Sequence, residues 1–379
     1  MSDIANHSVH LPDRLLEEIK IKLQYARLDE GMAEVEWNDL EIGHANFKRL
    51  VEYWRDEYDW RKFEAYVNNS FHHFLTPLPV SGFEDINLHF LHHRSSRPGA
   101  IPLIFVHGWP GSFLEACKII LFSYTKKSGF GLEQHAECLA RLMKKLGYHQ
   151  YVCQGGDWGS SIVRYMALNH SNAVRAIHIN MLLALPPDEH KSPEKYARYS
   201  RNEYSEQEIC NLERTHWFST EERGYQRIQE TKPVTLGYAL HDSPVAILAW
   251  FVGKLSAWTD EYPWTPDELI HWSLIHYQGS PSAAMQIYKE ASAVLNASPD
   301  SMLGQYICQP VGASVFPKEL WVAPRDWVEE ACNVQFWRHH RRGGHFAAWE
   351  CPQALVDDVA EFYREDGPVF GGRRKSPIT

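Results

Sequence analysis

The chain has 379 residues, of which 44% are hydrophobic, 13% aromatic and 23% charged, enough for one large α/β core with accessory segments. Its formal net charge of −10 speaks against a nucleic-acid or anionic-membrane partner, since the one compact basic run, Arg373-Arg374-Lys375, is short and solvated. Seven cysteines, odd in number and without metal-like spacing, read as ordinary thiols of a reducing compartment, not as a disulfide framework or a zinc site.

Leu11 to Ile19 opens an amphipathic helix, with Pro12 and Asp13 at its start and nothing ahead of it that reads as a secretory signal or membrane anchor. A cytoplasmic chain is therefore expected. Residues 1–76 read as an N-terminal helical domain in which Trp54 and Trp60 are packing aromatics. Pro77, Pro79 and Gly82 mark the passage into a sheet. Ile86-Asn87-Leu88-His89-Phe90 alternates as an early strand, and His92-His93 falls in a loop with no third ligand for a metal. Ile101 to Val106 is a continuous apolar run, as expected of a strand buried on both faces, and it ends in His107-Gly108-Trp109-Pro110-Gly111-Ser112.

Tyr151-Val152-Cys153 is a second such run, followed by Gly155-Gly156-Asp157-Trp158-Gly159 and a helical stretch from Ser161. This spacing is that of a nucleophile elbow, a sharp strand-to-helix turn with small residues two positions either side of the nucleophile. The nucleophile position holds Asp157 where the familiar elbow holds serine. A carboxylate there attacks carbon directly and forms an alkyl ester, whereas the bland reading is a βα turn with Asp157 as a helix cap. The loop after the preceding strand and the residue after the nucleophile would each offer a backbone N–H to an oxyanion, which nominates Trp109 and Trp158.

Ala176 to Asn180 reads as a further strand. From Pro186-Pro187 a polar, aromatic and helical excursion runs to about Gln309 and reads as a cap, with Leu248, Trp250, Phe251, Leu255 and Trp258 as an apolar stripe that could wall a pocket. Strand-like runs follow at Glu319 to Ala323 and at Val334 to Trp337, and then Gly343-Gly344-His345-Phe346. Nucleophile, acid and histidine thus come in the chain order of an α/β hydrolase.

Together these motifs resemble an epoxide hydrolase of the microsomal and soluble fungal branch of the α/β-hydrolase superfamily, over almost the whole chain. Trp54-Arg55-Asp56-Glu57-Tyr58-Asp59-Trp60-Arg61 is similar to the Trp-Arg signature of that branch's N-terminal domain. The resemblance implies Asp157 as nucleophile, His345 as the base that activates water, and Glu319, directly after Phe316-Pro317-Lys318, as the acid that orients it. Asp326 is the competing carboxylate, read as a turn or cap residue. Tyr225 and Tyr288 match the two cap tyrosines that hydrogen-bond the epoxide oxygen. The implied partners are a small hydrophobic epoxide and water, with no cofactor, no metal, no nucleic acid and no membrane anchor, and with room for a homodimer.

The implied fold is a mostly parallel sheet flanked by helices, with a helical cap and an N-terminal helical extension. Residues 77–190 and 310–367 would form the core, 191–309 the cap and 368–379 a flexible tail. Relatives carry a helix, a strand and a loop where this chain has only Phe113 to Gly131, so one core strand is expected to be missing. Phe122-Ser123 resembles the end of the family loop, and Lys118 to Phe122 is the only candidate replacement strand. A dehalogenase that shares the Asp-Trp elbow and a catalytically impaired scaffold are the competing functions.

Overall fold

Short apolar runs bounded by turn residues become parallel strands in this protein, and the alternating run before them becomes antiparallel. The computed structural model describes residues 3–30, 42–115, 127–295 and 301–371. Its N-terminal part comprises β1 (Ala5–His7), α1 (Asp13–Gln24), α2 (His44–Asp56), α3 (Trp60–Ser70), β2 (His73–Leu78) and β3 (Ile86–Leu91). Helix α1 starts after Pro12 and buries Ile19 and Leu23, one turn apart, on its inner face. Asp59 caps α3 by accepting from Arg61 N at 3.0 Å. The Trp-Arg motif fastens the N-terminal arm: Trp60 Nε1 donates to Glu64 at 2.8 Å, Glu64 accepts from Leu11 N at 2.9 Å, and Arg61 donates to Leu11 O at 2.7 Å. Trp54 and Trp60 are buried.

The second sheet holds β4 (Leu103–Val106), β5 (Tyr151–Gly155), β6 (Val174–Ile179), β7 (Ile307–Val315) and β8 (Cys332–His339), all parallel and in that order. Helices α4 (Leu132–Lys145) and α5 (Trp158–Asn169) connect its early strands. Such a sheet places the loops that leave its strands together along one edge, the usual place for an active site in open α/β folds. Between β6 and β7 come α6 (Pro193–Ser200), α7 (Glu206–Trp217), a π turn over Phe218–Glu222, α8 (Gly224–Thr231), α9 (Pro233–Asp242), α10 (Pro244–Ala257), α11 (Pro266–Gln278) and α12 (Pro281–Leu295). Short α13 (Arg325–Val328) precedes β8, and α14 (Ala347–Glu350) and α15 (Pro352–Tyr363) follow it.

Three expectations are corrected here. Residues 319–323 are a loop carrying isolated bridges, Lys318 to Gly344 and Leu182 to Val322, and not a strand. Leu320 and Val322 are apolar because their side chains pack inward, each 1% exposed. The strand lies earlier, at Ile307–Val315, and so takes in the last three residues expected of the excursion. Pro310 and Gly312 disguise it, and both sit beside register shifts, where a residue lacking an N–H or a side chain is tolerated. Asp326 is not a cap either: it stands inside α13 and pairs with Arg198 at 2.7 Å.

The three N-terminal strands form their own antiparallel sheet, β1-β2-β3, and among the described residues no strand joins β3 to β4. A cleft of about 200 Å³ lies between the two edges, lined among others by Leu91, His92, Leu103, Ile104, Leu142 and Leu146. The Lys118 to Phe122 replacement strand, the Phe122-Ser123 loop remnant and the tail after Gly371 all lie outside the described residues.

Candidate active site

Strand β5 ends in Gly155, and the chain turns so sharply that Asp157 adopts φ 50° and ψ −133°, a conformation that costs a non-glycine residue about 1 to 3 kcal/mol. Tight backbone packing enforces it. A β-carbon on Gly159 would fall 2.1 Å from Val106 O, and one on Gly108 would fall 1.8 Å from Asp157 Oδ1. Asp157 occupies the N-cap position of α5, yet its side chain caps nothing. Instead Oδ1 accepts from Trp109 N at 2.8 Å, in a site where Asp157 is only 6% exposed. Trp158 N borders the same spot, 2.8 Å from where a Gly108 β-carbon would stand.

His345 and Glu319 arrive on the loops that follow β8 and β7, and Lys318 N donates to Gly343 O at 3.1 Å to join the two. His345 Nδ1 lies 2.5 Å from Glu319 Oε1, and Nε2 lies 3.3 Å from Asp157 Oδ2 without the alignment of a hydrogen bond. Both His345 and Glu319 are fully buried. Burial works to lower the His345 pKa, but the Glu319 charge and the contacts with Asp157 and Glu319 outweigh it and push it up to about 10. The second Glu319 oxygen accepts from Asn180 Nδ2 at 3.2 Å, and Asn180 in turn accepts from Gln154 at 2.8 Å. The histidine loop is pinned through its backbone: His345 N donates to Trp258 O at 2.9 Å, and Gly344 N and Phe346 N donate to Glu350 Oε1 at 3.1 and 3.2 Å.

Tyr225 on α8 and Tyr288 on α12 are buried over the elbow, with ring centres 5.8 Å apart. Trp109 stacks on Tyr225 at 5.4 Å, and Tyr288 meets the rings of Trp109 and Trp158 edge-on at 5.7 and 5.0 Å. Burial, with the nearby Asp157 charge, pushes both phenols up, so they stay neutral donors. Of the expected apolar stripe, Phe251 and Trp258 reach Trp109 at 5.5 and 6.5 Å; Trp250 faces Gln229 instead, donating to it at 3.1 Å. All seven residues singled out in the sequence thus converge on one site. Sequence reasoning missed its second layer: Asn180, Glu350, and the buried pair of His107 Nε2 and Glu115 Oε2 at 3.0 Å. Glu115 also accepts from Ser112 N at 3.1 Å, and burial pushes its carboxyl up and holds His107 down at about 3. A charged residue three positions after Ser112, in an otherwise apolar stretch, was the available signal.

Comparison with known proteins bears on the family and the fold. The family model "Epoxide hydrolase N terminus" matches residues 4–116, and "alpha/beta hydrolase fold" matches residues 121–208. A Stigmatella aurantiaca protein is 32% identical over 96% of this chain and 85% of its own length, and Epoxide hydrolase 1 of Sus scrofa is 30% identical over 83% and 79%. The chain belongs to the epoxide hydrolase family. Among solved epoxide hydrolases, that of Aspergillus niger superposes with a TM-score of 0.83 at 29% identity, covering 96% of this chain and 97% of its own. The juvenile hormone epoxide hydrolase of Bombyx mori gives 0.81 at 25% identity, covering 94% and 93%. The α/β-hydrolase fold and the enzyme class read from the motifs therefore stand. The alignment with the Stigmatella protein runs over 397 positions, more than the 379 residues of this chain, so that epoxide hydrolase relative carries residues absent here. No helix among the described residues is long and apolar enough to cross a membrane.

Proposed function

We propose that this chain hydrolyses a small hydrophobic epoxide in two steps, through an ester on Asp157. With Oδ1 engaged by the Trp109 N–H, Oδ2 is the oxygen left to attack an epoxide carbon. The strained C–O bond breaks as the new C–O bond forms, and the negative charge moves onto the departing oxygen. Tyr225 and Tyr288 donate hydrogen bonds to that oxygen and one of them gives it a proton. Neutral donors suit this buried site, where a charged donor would have to be stripped of its water.

The ester carries no charge, so its formation removes one of the groups that hold the His345 imidazole protonated. The proton that His345 then gives up returns to the phenolate left by ring opening, and the neutral imidazole takes another from a water that attacks the ester carbonyl, while Trp109 N–H and Trp158 N–H hold the oxyanion. Glu319 keeps the imidazole in one orientation and balances its charge. Collapse frees a vicinal diol and restores Asp157. The helices between β6 and β7 act as the cap that carries both tyrosines and excludes bulk water.

The observation that supports this reading most is the placement of Asp157 with one oxygen on Trp109 N–H and the other 3.3 Å from His345 Nε2, under two buried phenols. A mass spectrum after brief incubation with an epoxide tests it. His345→Gln should accumulate an alkyl adduct on Asp157, and Asp157→Asn should carry none; equal adduct in both would remove the assignment. One observation favours a dehalogenase: the indole Nε1 of Trp158 is buried without a hydrogen-bond partner and could hold a halide. Efficient chloride or bromide release without epoxide turnover would put that reading first.

A further inference from the structure

Lys254 on α10 stands over Tyr225. Its ammonium lies 5.2 Å from the centre of the Tyr225 ring and 5.8 Å from that of Trp258. Glu222, the last residue of the π turn, holds it there: one carboxylate oxygen accepts from Lys254 Nζ at 2.5 Å and from Trp258 Nε1 at 3.1 Å. The two side chains are only 14% and 17% exposed, so solvent screens the pair far less than it screens an ordinary surface ion pair. Trp258 itself is fully buried and touches both ends of the chemistry, its ring 5.0 Å from Tyr225 and 5.3 Å from His345.

We propose that Lys254, fixed by Glu222, is a positioning residue for Tyr225 that supports the movement of negative charge onto the phenol as the epoxide ring opens. The inference rests on the reading of Tyr225 as a donor to the epoxide oxygen. An ammonium over an aromatic face is attracted by the ring's electron density, and more so as that ring takes on phenolate character. Tyr225 needs the support. Burial, the charge on Asp157 and that on Glu222 all oppose its ionisation, while Tyr288, through its hydrogen bond, and Arg223 act the other way. Glu222 sets the position of Lys254 at some electrostatic expense to Tyr225. Removing the ammonium alone therefore withdraws the support and leaves the carboxylate facing the ring.

Rapid-quench measurement of the two half-reactions separates this role from a structural one. Lys254→Met should alkylate Asp157 about tenfold more slowly, within the range of a partly desolvated cation–π contact, with hydrolysis of the preformed ester changed by less than about twofold. Across epoxides of graded alkoxide basicity, its ring-opening rate should depend more steeply on that basicity than the parent's does. Lys254→Arg should recover most of the loss. Lys254→Gln, which keeps a hydrogen bond to Glu222 without the charge, should behave like the methionine variant and serves if that variant fails to fold. Wild-type alkylation in the neutral variants, or an equal loss in both steps that arginine does not repair, would overturn the proposal. Tyr225→Phe distinguishes the two levels: if it alkylates normally the donor reading itself fails, and if only the Lys254 variants do so, the present inference fails alone.

Discussion

The loops that carry Asp157, Glu319 and His345 differ from the seam between β3 and β4 in how their backbones are held. In the loops, N–H groups find a named acceptor again and again: Trp109 on Asp157, Ser112 on Glu115, Leu320 on Glu319, Gly344 and Phe346 on Glu350, Gly343 on Asp260. Across the seam, two strand edges face a cleft, and among the described residues no strand bridges them. Carboxylates therefore fix the loops locally, beside a seam that no described strand fills. Rate and stability should accordingly be separable, the first lost at the loops and the second gained at the seam.

The sharpest way to break that contrast is at the proposed nucleophile. Asp157→Asn should lower turnover about 10⁴-fold or more while the protein still unfolds cooperatively, its urea midpoint near neutral pH lowered only by the loss of the contact with His345. A cooperative loss of folding in this variant would show that the loops and the fold are not separable. Next in size, replacing Tyr225 and Tyr288 together with phenylalanine should cut single-turnover alkylation about 10²- to 10³-fold, the loss expected for oxyanion donors, with no change in near-ultraviolet circular dichroism from the surrounding tryptophans. Normal alkylation by the double variant would remove both tyrosines from the chemistry.

Two smaller effects concern stability. His345 is held at about 10 in the fold against 6.5 in an unfolded chain, so the folded state keeps its proton where the unfolded state has lost it. The stabilisation is complete below pH 6.5 and drains away as pH rises through 10. The urea midpoint should fall over that window, and less steeply in Asp157→Asn, which lacks one of the groups that raise the pKa. A midpoint that rises from pH 6.5 to 10 with the same slope in both proteins would contradict the buried His345–Asp157 contact. At the seam, a family-like strand and loop inserted between Phe113 and Gly131 should raise the urea midpoint, since each buried backbone group given a partner contributes about 1 to 3 kcal/mol. More of the protein should then form adduct, at an unchanged rate per active site. A chain that already unfolds at high urea and labels every site would make the short segment a tolerated rearrangement.

The site was far more legible than its supports. Asp157 and Trp158 sit in a local motif whose geometry is dictated by Gly155 and Gly159, and His345 follows the last strand, so spacing alone nominated them. Glu319 needed the Phe-Pro-Lys context, because its apolar neighbours imitate a strand. β7 was hidden because Pro310 and Gly312 interrupt its run, and its place between β6 and β8 is a property of the whole sheet. Glu350, Glu222 and Lys254 act through partners that are far away in sequence or belong to another loop. Glu222 lies 32 residues from the lysine it holds, and no periodicity records such a contact. That no described strand joins β3 to β4 bears on the short segment from Phe113 to Gly131, most of which lies outside the described residues.

Gly108 sets a boundary on how this catalyst can change. Any side chain there would occupy the space of the Asp157 carboxylate, whose Oδ1 would lie 1.8 Å from the first added carbon. In a saturation library the position should accept glycine alone, whereas the helices between β6 and β7 contribute walls that tolerate exchange of one large residue for another. New substrate ranges would then accumulate as changes in the cap over an elbow that has no adjacent variants to drift into, so the lineage of such an enzyme can wander in what it accepts while standing still in how it reacts.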